Sequence, residues 1–133
     1  MLKLVGVETY YGKIKALHGV SLNVEEGQLV TILGANGAGK STILKTISGL
    51  VEPENGTIHF NDVRIDRKDP EKIVSMGISH VPEWRRIFPD LTVYDNLYMG
   101  GFLINDKELL SERMEEAYIH FPILKNRKDQ LAG

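Results

Sequence analysis

The segment Gly34-Ala-Asn-Gly-Ala-Gly39-Lys40-Ser41 matches the phosphate-binding P-loop pattern G-x-x-x-x-G-K-[ST] at every fixed position. A triphosphate needs many hydrogen-bond donors close together, and only backbone N–H groups pack that densely. Glycines at 34, 37 and 39 keep the loop bare and allow positive φ angles. Lys40 is suited to neutralise β- and γ-phosphate oxygens, and the Ser41 hydroxyl can hold Mg²⁺. The segment therefore predicts nucleotide binding.

The flanking sequence has the order that the motif requires, a buried strand followed by a helix. Leu29-Val-Thr-Ile-Leu33 is apolar nearly throughout and predicts a strand buried on both faces of a parallel sheet. A helix is predicted over about 41–48, with its N-terminus facing the anion and Gly49 placed to end it. The alternative is a glycine-rich turn that happens to precede a lysine. The predicted nucleotide-binding residues are Gly34, Ala35, Asn36, Gly37, Ala38, Gly39, Lys40, Ser41 and Thr42.

Short strand and helix patterns surround this segment. Residues 2–10 and 18–24 predict an antiparallel hairpin, and residues 57–60 and 63–65 predict two short strands around a turn at Asn61-Asp62. Asp69-Pro70 predicts a helix start, and residues 78–81 predict a short buried strand. Thr92-Val-Tyr-Asp95 resembles a capping box. A helix over about 106–120, ended by Pro122, carries an apolar stripe of Leu110, Met114, Ala117, Tyr118 and Phe121.

Composition excludes several classes of function. The 133 residues have a formal net charge of −2, which does not favour nucleic acid as the main partner. Cysteine is absent, so disulfides, thiolate metal sites and cysteine nucleophiles are excluded, and the four histidines show no metal-ligand spacing. There is neither an apolar run of spanning length nor a signal-peptide pattern at the N-terminus, and we expect a soluble protein of the cytoplasm.

The sequence around the loop carries a family resemblance. Tyr-Tyr-Gly-Lys-Ile-Lys-Ala-Leu-His-Gly-Val-Ser-Leu at 10–22 and Glu-Gly-Gln-Leu-Val-Thr-Ile-Leu-Gly at 26–34 resemble the opening of ATP-binding cassette (ABC) transporter ATPases. In that family an aromatic residue of the N-terminal β region stacks on adenine, and Tyr11 matches its position. A π face suits this role. The alternative is a turn tyrosine that packs on the hairpin.

A second segment narrows the resemblance. Gly-Ile-Ser-His-Val-Pro-Glu-Trp-Arg-Arg-Ile-Phe-Pro-Asp-Leu-Thr-Val at 77–93 resembles the cassettes of branched-chain amino acid importers. Glu83 stands where most cassettes carry glutamine, and a carboxylate there can ligate Mg²⁺. The alternative is an exposed loop acid. Arg85 and Arg86 either contact a membrane-domain partner or form a solvated pair.

The resemblance implies an α/β P-loop NTPase (RecA-like) partial core. An N-terminal antiparallel β subdomain and the P-loop core would occupy about 1–82, and the Glu83 loop with the start of a helical subdomain about 83–133. We find no counterpart of the family's signature segment, Walker B strand, catalytic glutamate or switch histidine. We therefore expect the N-terminal part of one cassette, without catalytic residues of its own, which binds ATP but does not hydrolyse it.

The resemblance also implies partners. These are MgATP, a second cassette in a head-to-tail dimer, and the transmembrane permease subunits of a branched-chain amino acid importer, at the cytoplasmic face of the membrane. One alternative is a P-loop kinase or GTPase, although the guanine-reading motif Asn-Lys-x-Asp is absent. The other is a non-transport cassette protein that acts on DNA or ribosomes, against which the acidic balance argues weakly.

Overall fold

The computed structural model describes residues 1–84 and 86–133. The chain forms two compact units, Met1–His80 and Val81–Gly133. In the described ranges no helix has the length and hydropathy needed to cross a membrane.

The first unit is built on a four-stranded antiparallel sheet formed by β1 Leu2–Tyr11, β2 Ile14–Val24, β3 Asn55–Phe60 and β4 Val63–Arg64. The order of the strands in the sheet is β2-β1-β3-β4. Strand β1 lies between β2 and β3, and its Leu4 is paired with Leu22 of β2 on one side and with Ile58 of β3 on the other. Both predicted hairpins are confirmed. At Asn61 and Asp62 the φ angles are 47° and 63°, the left-handed values that a two-residue hairpin turn requires.

Two helices complete the first unit, α1 Lys40–Ile47 and α2 Pro70–Ser75. Gly49, with φ 72°, follows α1, and a Cβ on it would lie only 2.8 Å from Ile73 Cδ1, so a close approach to α2 requires glycine here. The predicted helices after the loop and after Asp69 are confirmed. The buried apolar core of the unit comprises Leu4, Val7, Leu17, Ile43, Ile58, Ile65 and Ile73.

The prediction of a buried strand over residues 29–33 is wrong. The segment forms no hydrogen-bonded strand, and Leu29 and Leu33 are 94% and 87% exposed. The predicted strand over 78–81 is also absent, and Val81 is 86% exposed. A strand requires hydrogen-bonded neighbours, and no strand of the described residues pairs with either segment. The predicted parallel sheet is therefore not formed in these parts of the chain.

The second unit is helical, with α3 Val93–Gly100, α4 Lys107–His120 and α5 Pro122–Asn126. The capping box is confirmed, since Asp95 N donates to Thr92 Oγ1 at 3.0 Å and Thr92 N donates to Asp95 Oδ2 at 3.2 Å. Asp106 caps α4 by accepting from the backbone N–H of the second and third helical residues.

The apolar stripe of α4 is confirmed in part, because Leu110, Met114 and Tyr118 are buried whereas Phe121 is 62% exposed. Phe121 departs from the prediction because the helix ends at His120, so that residue no longer follows the helical period. Pro122 follows the end of α4 and also begins α5, which the sequence analysis did not predict.

Candidate nucleotide-binding site

The loop between residues 34 and 39 reaches the N-terminus of α1 through two left-handed glycines. Gly37 and Gly39 have φ angles of 84° and 88°, and Ala38 N donates to Ala35 O at 3.1 Å within the turn. Gly34 does not have a positive φ angle, contrary to our prediction. The reason for glycine at 34 is space, because a Cβ there would lie 3.1 Å from Ala38 Cβ.

Gly39 allows the loop to pack closely against strand β2. A Cβ at this position would lie 2.8 Å from Ala16 O and 2.8 Å from Leu17 Cδ2. Deeper in the unit, the Thr9 and Thr46 hydroxyls hydrogen bond at 3.2 Å and join β1 to α1. The β1–β2 hairpin thus supports the loop and its helix through backbone contact and a buried polar pair. The sequence analysis missed both contacts, which join residues far apart in the chain.

Tyr11 is the last residue of β1 and pairs with Ile14 across the hairpin tip, with its side chain 45% exposed. The hairpin that carries it is the one on which Gly39 packs. Beside it, Lys15 Nζ lies 2.7 Å from Glu8 Oε1. The hydrogen bond from Lys15, with a further one from Asn55, lowers the pKa of Glu8. The structure therefore places a partly exposed aromatic ring on the strand pair that supports the loop.

Lys40 is the first residue of α1, and its side chain returns over the loop. Its Nζ donates to Gly34 O at 2.9 Å and to Ala35 O at 2.7 Å. The first turn of α1 contains no acidic residue, so no carboxylate offsets its N-terminal partial positive charge. A bare loop, a helix N-terminus and an ammonium group form the set of donors that polyphosphates require. These residues fit a nucleotide.

Ser41 and Thr42 lie in the first turn of α1 with different environments. Ser41 is half-buried, whereas Thr42 is 8% exposed and faces the interior, where its carbonyl accepts from Thr46 Oγ1 at 2.8 Å. Asn36 and the other residues from 34 to 38 are exposed. The predicted residues thus differ in exposure: residues 34–38 are exposed, Gly39, Lys40 and Ser41 are half-buried, and Thr42 is buried.

Glu83 belongs to the second unit and is exposed. It is followed by Trp84, which has φ 63° and is 86% exposed. Arg85 lies outside the described residues, and Arg86 is exposed. Among the described residues 83, 84 and 86, Trp84 is the one with an unusual backbone, because a left-handed φ is rare for a bulky side chain.

The donor set for a metal ion is sparse. Among residues 1–84 and 86–133, no cluster of three or more His, Asp or Glu side chains could hold a metal ion. Magnesium is commonly bound through one or two protein oxygens together with substrate phosphates and water. The Ser41 hydroxyl in the first unit and the Glu83 carboxylate in the second unit are each oxygen donors of this kind.

The second unit also contains an apolar cavity of about 790 Å³. It is lined by residues such as Phe88, Leu97, Phe102 and Leu131, and it contains none of the residues predicted to bind nucleotide or metal. Its apolar lining does not suit a polyphosphate.

The loop geometry and its supporting hairpin define a P-loop nucleotide-binding protein. The profile of the ABC transporter family matches residues 17–132, and the chain belongs to this family. It is 45% identical, over its whole length, to the high-affinity branched-chain amino acid transport ATP-binding protein BraG of Pseudomonas aeruginosa, and covers 57% of that protein. It is 30% identical to the xylose/arabinose import ATP-binding protein XylG of Sulfolobus acidocaldarius, covering all of the chain and 56% of that protein.

Solved structures of cassettes have the same fold. A nucleotide-free ATP-binding cassette from an ABC transporter superposes with a TM-score of 0.82 at 27% identity, covering 100% of the chain and 58% of that structure. A dimeric cassette in a post-hydrolysis state, bound to ADP and Pi, superposes with a TM-score of 0.82 at 26% identity. This match covers 99% of the chain and 62% of that structure. The chain thus spans a little over half the length of the relatives that it matches.

Proposed function

We propose that this chain binds MgATP and forms the nucleotide-binding part of an ABC importer ATPase subunit. The observation that carries the proposal is the loop itself, in which Gly37 and Gly39 take left-handed angles and Lys40 folds back over the carbonyls of Gly34 and Ala35. The phosphates would lie on the N–H groups of residues 34–42, with Lys40 as the counter-charge. Tyr11 would stack on adenine, and Ser41 and Glu83 would contact magnesium.

Calorimetry of the 133-residue chain with ATP and with GTP, each in the presence of Mg²⁺, tests this proposal. We expect saturable ATP binding that is stronger than GTP binding. A stacked aromatic ring gives a moderate preference for adenine, and the sequence lacks a guanine-reading motif that would favour GTP. Stronger binding of GTP would favour a GTPase, and transfer of the γ-phosphate to an added acceptor would favour a kinase. No saturable binding of either nucleotide would refute the proposal.

We propose that the whole protein hydrolyses ATP when it is paired with a second cassette. Phosphoryl transfer depends on groups positioned around the γ-phosphate, and the described loop supplies only some of them. A dimer is supported by the dimeric relative bound to ADP and Pi. We expect the 133-residue chain to bind ATP with negligible turnover, measured by phosphate release. Ordinary turnover by this chain would show that it holds a complete catalytic site.

Branched-chain amino acids are the proposed transported solutes. The support is the 45% identity to BraG, against 30% identity to the sugar importer protein XylG. The test is uptake of radiolabelled leucine, xylose and arabinose in cells that lack the whole protein, compared with restored cells. We expect cells that lack the protein to lose uptake of leucine but not of xylose or arabinose, and restored cells to recover it. A defect confined to the sugars would replace this assignment.

Permease subunits at the cytoplasmic face of the membrane are the proposed docking partners. The support is membership of the ABC transporter family together with relatives named as import ATP-binding proteins. Fractionation of cells that express the tagged whole protein should recover it with membranes, and alkaline carbonate should release it because peripheral proteins are held by other subunits. Association with ribosomes or DNA in the same fractionation would favour a non-transport cassette protein.

A further inference from the structure

The apolar cavity of the second unit has the size of a small-molecule binding site. Its volume is about 790 Å³, and ligand pockets usually have about 300–1,000 Å³. All the described residues that line it belong to Val81–Gly133, so the cavity lies within one unit. Its apolar lining comes from α3, from α5 and from the segments that flank these two helices.

The walls of this cavity are held together by hydrogen bonds within the protein. Phe88 N donates to Asn96 Oδ1 at 2.9 Å, and Asn96 Nδ2 donates to Phe88 O at 3.0 Å, so the loop before α3 is fixed to that helix. The segment after α5 is fixed to the start of α3, since Val93 N donates to Gln130 O at 2.9 Å. The cavity is therefore preformed, and binding of a ligand would require little ordering of the chain.

The charged side chains that line the cavity all have the same sign. Arg86 and Arg127 are among the lining residues, and no acidic side chain is among those that the structure describes. Both arginines are exposed, so that their guanidinium groups are accessible from solvent. A guanidinium group binds a carboxylate through two parallel hydrogen bonds. An apolar body with a carboxylate is therefore the ligand chemistry that complements this lining.

We propose that the apolar cavity binds a small amphipathic carboxylate, of the kind represented by a medium-chain fatty acid. The apolar chain of the ligand would lie among side chains such as Leu97, Phe102 and Leu131, and its carboxylate would pair with Arg86 or Arg127. This inference goes beyond the proposed function, because none of the residues predicted to bind nucleotide or metal lines the cavity.

Calorimetry of the 133-residue chain with decanoate, decanol and decylamine tests the charge requirement. These probes have chains of matched length, and at pH 7 they are an anion, a neutral alcohol and a cation. We expect saturable binding of decanoate, binding of decanol that is weaker by about tenfold because it lacks the ion pair, and no saturable binding of decylamine. Octanoate should bind about tenfold more weakly than decanoate, because two fewer methylene groups are buried. Equal binding of the three charge types, or no binding of decanoate, would overturn the inference.

Arginine variants test whether binding occurs at this cavity. Arg86→Gln combined with Arg127→Gln should lower the decanoate affinity to about that of decanol and leave the decanol affinity unchanged. Leu33→Ser removes an exposed leucine of the first unit and is the control for nonspecific binding to apolar surface. It should bind decanoate as the parent does. Unchanged decanoate affinity in the double arginine variant, or an equal loss in Leu33→Ser, would overturn the inference.

A cavity-filling variant tests the apolar part of the site. Gly100 is the last residue of α3 and lines the cavity, and a Cβ there would have no atom within 4 Å. Gly100→Leu should weaken the binding of decanoate and of decanol together. It should not lower the thermal unfolding midpoint, because glycine is unfavourable within a helix. Unchanged affinity for both probes in this variant would contradict the assigned site.

The same measurements on the whole protein distinguish a ligand site from a surface that other residues cover. We expect decanoate to bind there with the same dependence on Arg86 and Arg127. Binding by the 133-residue chain alone would mean that other parts of the protein fill the cavity, which would overturn the inference. Absence of ATP binding would refute the proposed function and leave this inference intact, because the two measurements depend on different residues.

Discussion

At the residue scale, Lys40 carries the main positive charge proposed for the phosphates. Lys40→Ala should lower MgATP affinity by about a hundredfold or more, because a hydrogen bond to a charged group is worth about 1.5–3 kcal/mol and the ammonium would make more than one. Calorimetry measures the loss, and far-UV circular dichroism checks that the fold is kept. Lys45→Ala, on the last turn of the same helix, is the matched control and should bind as the parent does. Equal affinity in the Lys40 variant would reject the assignment.

Tyr11 offers a second test at the same scale. Its ring is partly exposed at the tip of the hairpin that supports the loop. Tyr11→Ala should weaken ATP binding by about 1–3 kcal/mol, whereas Tyr11→Phe and Tyr11→Trp should retain it, because stacking needs the π face and not the hydroxyl. Tyr10→Ala is the neighbouring control, since the Tyr10 ring lies beside Lys15 Nζ, 5.6 Å from its centroid. Unchanged ATP affinity in Tyr11→Ala would show that Tyr11 only packs on the hairpin and does not contact adenine.

At the scale of elements, the end of the β3–β4 hairpin depends on one buried carboxylate. Asp66 Oδ1 accepts from Ile58 N at 3.0 Å, and Arg64 binds both carboxylate oxygens, Nε to Oδ1 at 2.9 Å and Nη2 to Oδ2 at 3.0 Å. Burial raises the pKa of Asp66, but the hydrogen bonds from Arg64 and Ile58 N–H outweigh it, and the pKa lies below its usual 3.8. The ionised form is therefore the one that holds this hairpin.

The lowered pKa of Asp66 predicts a pH dependence of stability. Its contribution is fully present above the ordinary value near 3.8 and is lost as the pH falls through the lowered pKa. Asp66→Ala should destabilise the unit by about 1–3 kcal/mol at pH 7, because Ile58 N–H loses its buried acceptor. Asp66→Asn, which keeps an acceptor, should cost less.

Urea unfolding at pH 7 and at pH 2.5 provides the measurement for Asp66. The difference between the parent and Asp66→Asn should shrink at the lower pH, because the carboxyl group is protonated there in the unfolded chain, where its pKa is near 3.8, and keeping it ionised in the folded state then costs free energy. Arg113→Ala removes an exposed ion pair with Glu116 in α4 and should have little effect at pH 7. A constant difference between parent and Asp66→Asn at both pH values would contradict the assigned pKa direction.

At the scale of the whole molecule, residues 29–33 form a largely apolar segment that leads into the nucleotide loop. The segment is exposed except at Ile32, which packs partly against the core of the first unit. Leu29 and Leu33 are 94% and 87% exposed, and Val30 is 43% exposed. Exposed apolar segments with unpaired backbone groups promote association. We expect the 133-residue chain to self-associate, with poor solubility or partly molten packing.

Sedimentation velocity over a range of concentrations tests this expectation. Leu29→Ser combined with Leu33→Ser should weaken association by about two orders of magnitude, because burying each leucine is worth about 1.5–3 kcal/mol. Ile119→Ser, an equally polar change at a 75% exposed position of the second unit, is the control. A parent chain that stays monomeric, or a double variant that associates as strongly, would contradict the prediction.

Local interactions explain why much of this structure could be predicted from the sequence. The P-loop, the hairpin turn at Asn61-Asp62 and the capping box at Thr92 each depend on residues within a few positions of one another. Alternation of apolar and polar residues likewise predicted β1 and β2, because each strand pairs with a neighbour close in sequence. The candidate loop residues and the resemblance to ABC transporter ATPases could likewise be identified from the sequence alone.

Tertiary contacts decided the rest. Residues 29–33 have a strand-like pattern, but pattern alone does not supply the hydrogen-bonded neighbours that a strand needs. The seating of Gly39 on Ala16, the Thr9–Thr46 pair and the Ser48–His80 hydrogen bond each join residues that are distant in the chain. Short-range patterns cannot specify which distant groups meet, because that depends on how the elements pack, and only the folded structure determines it.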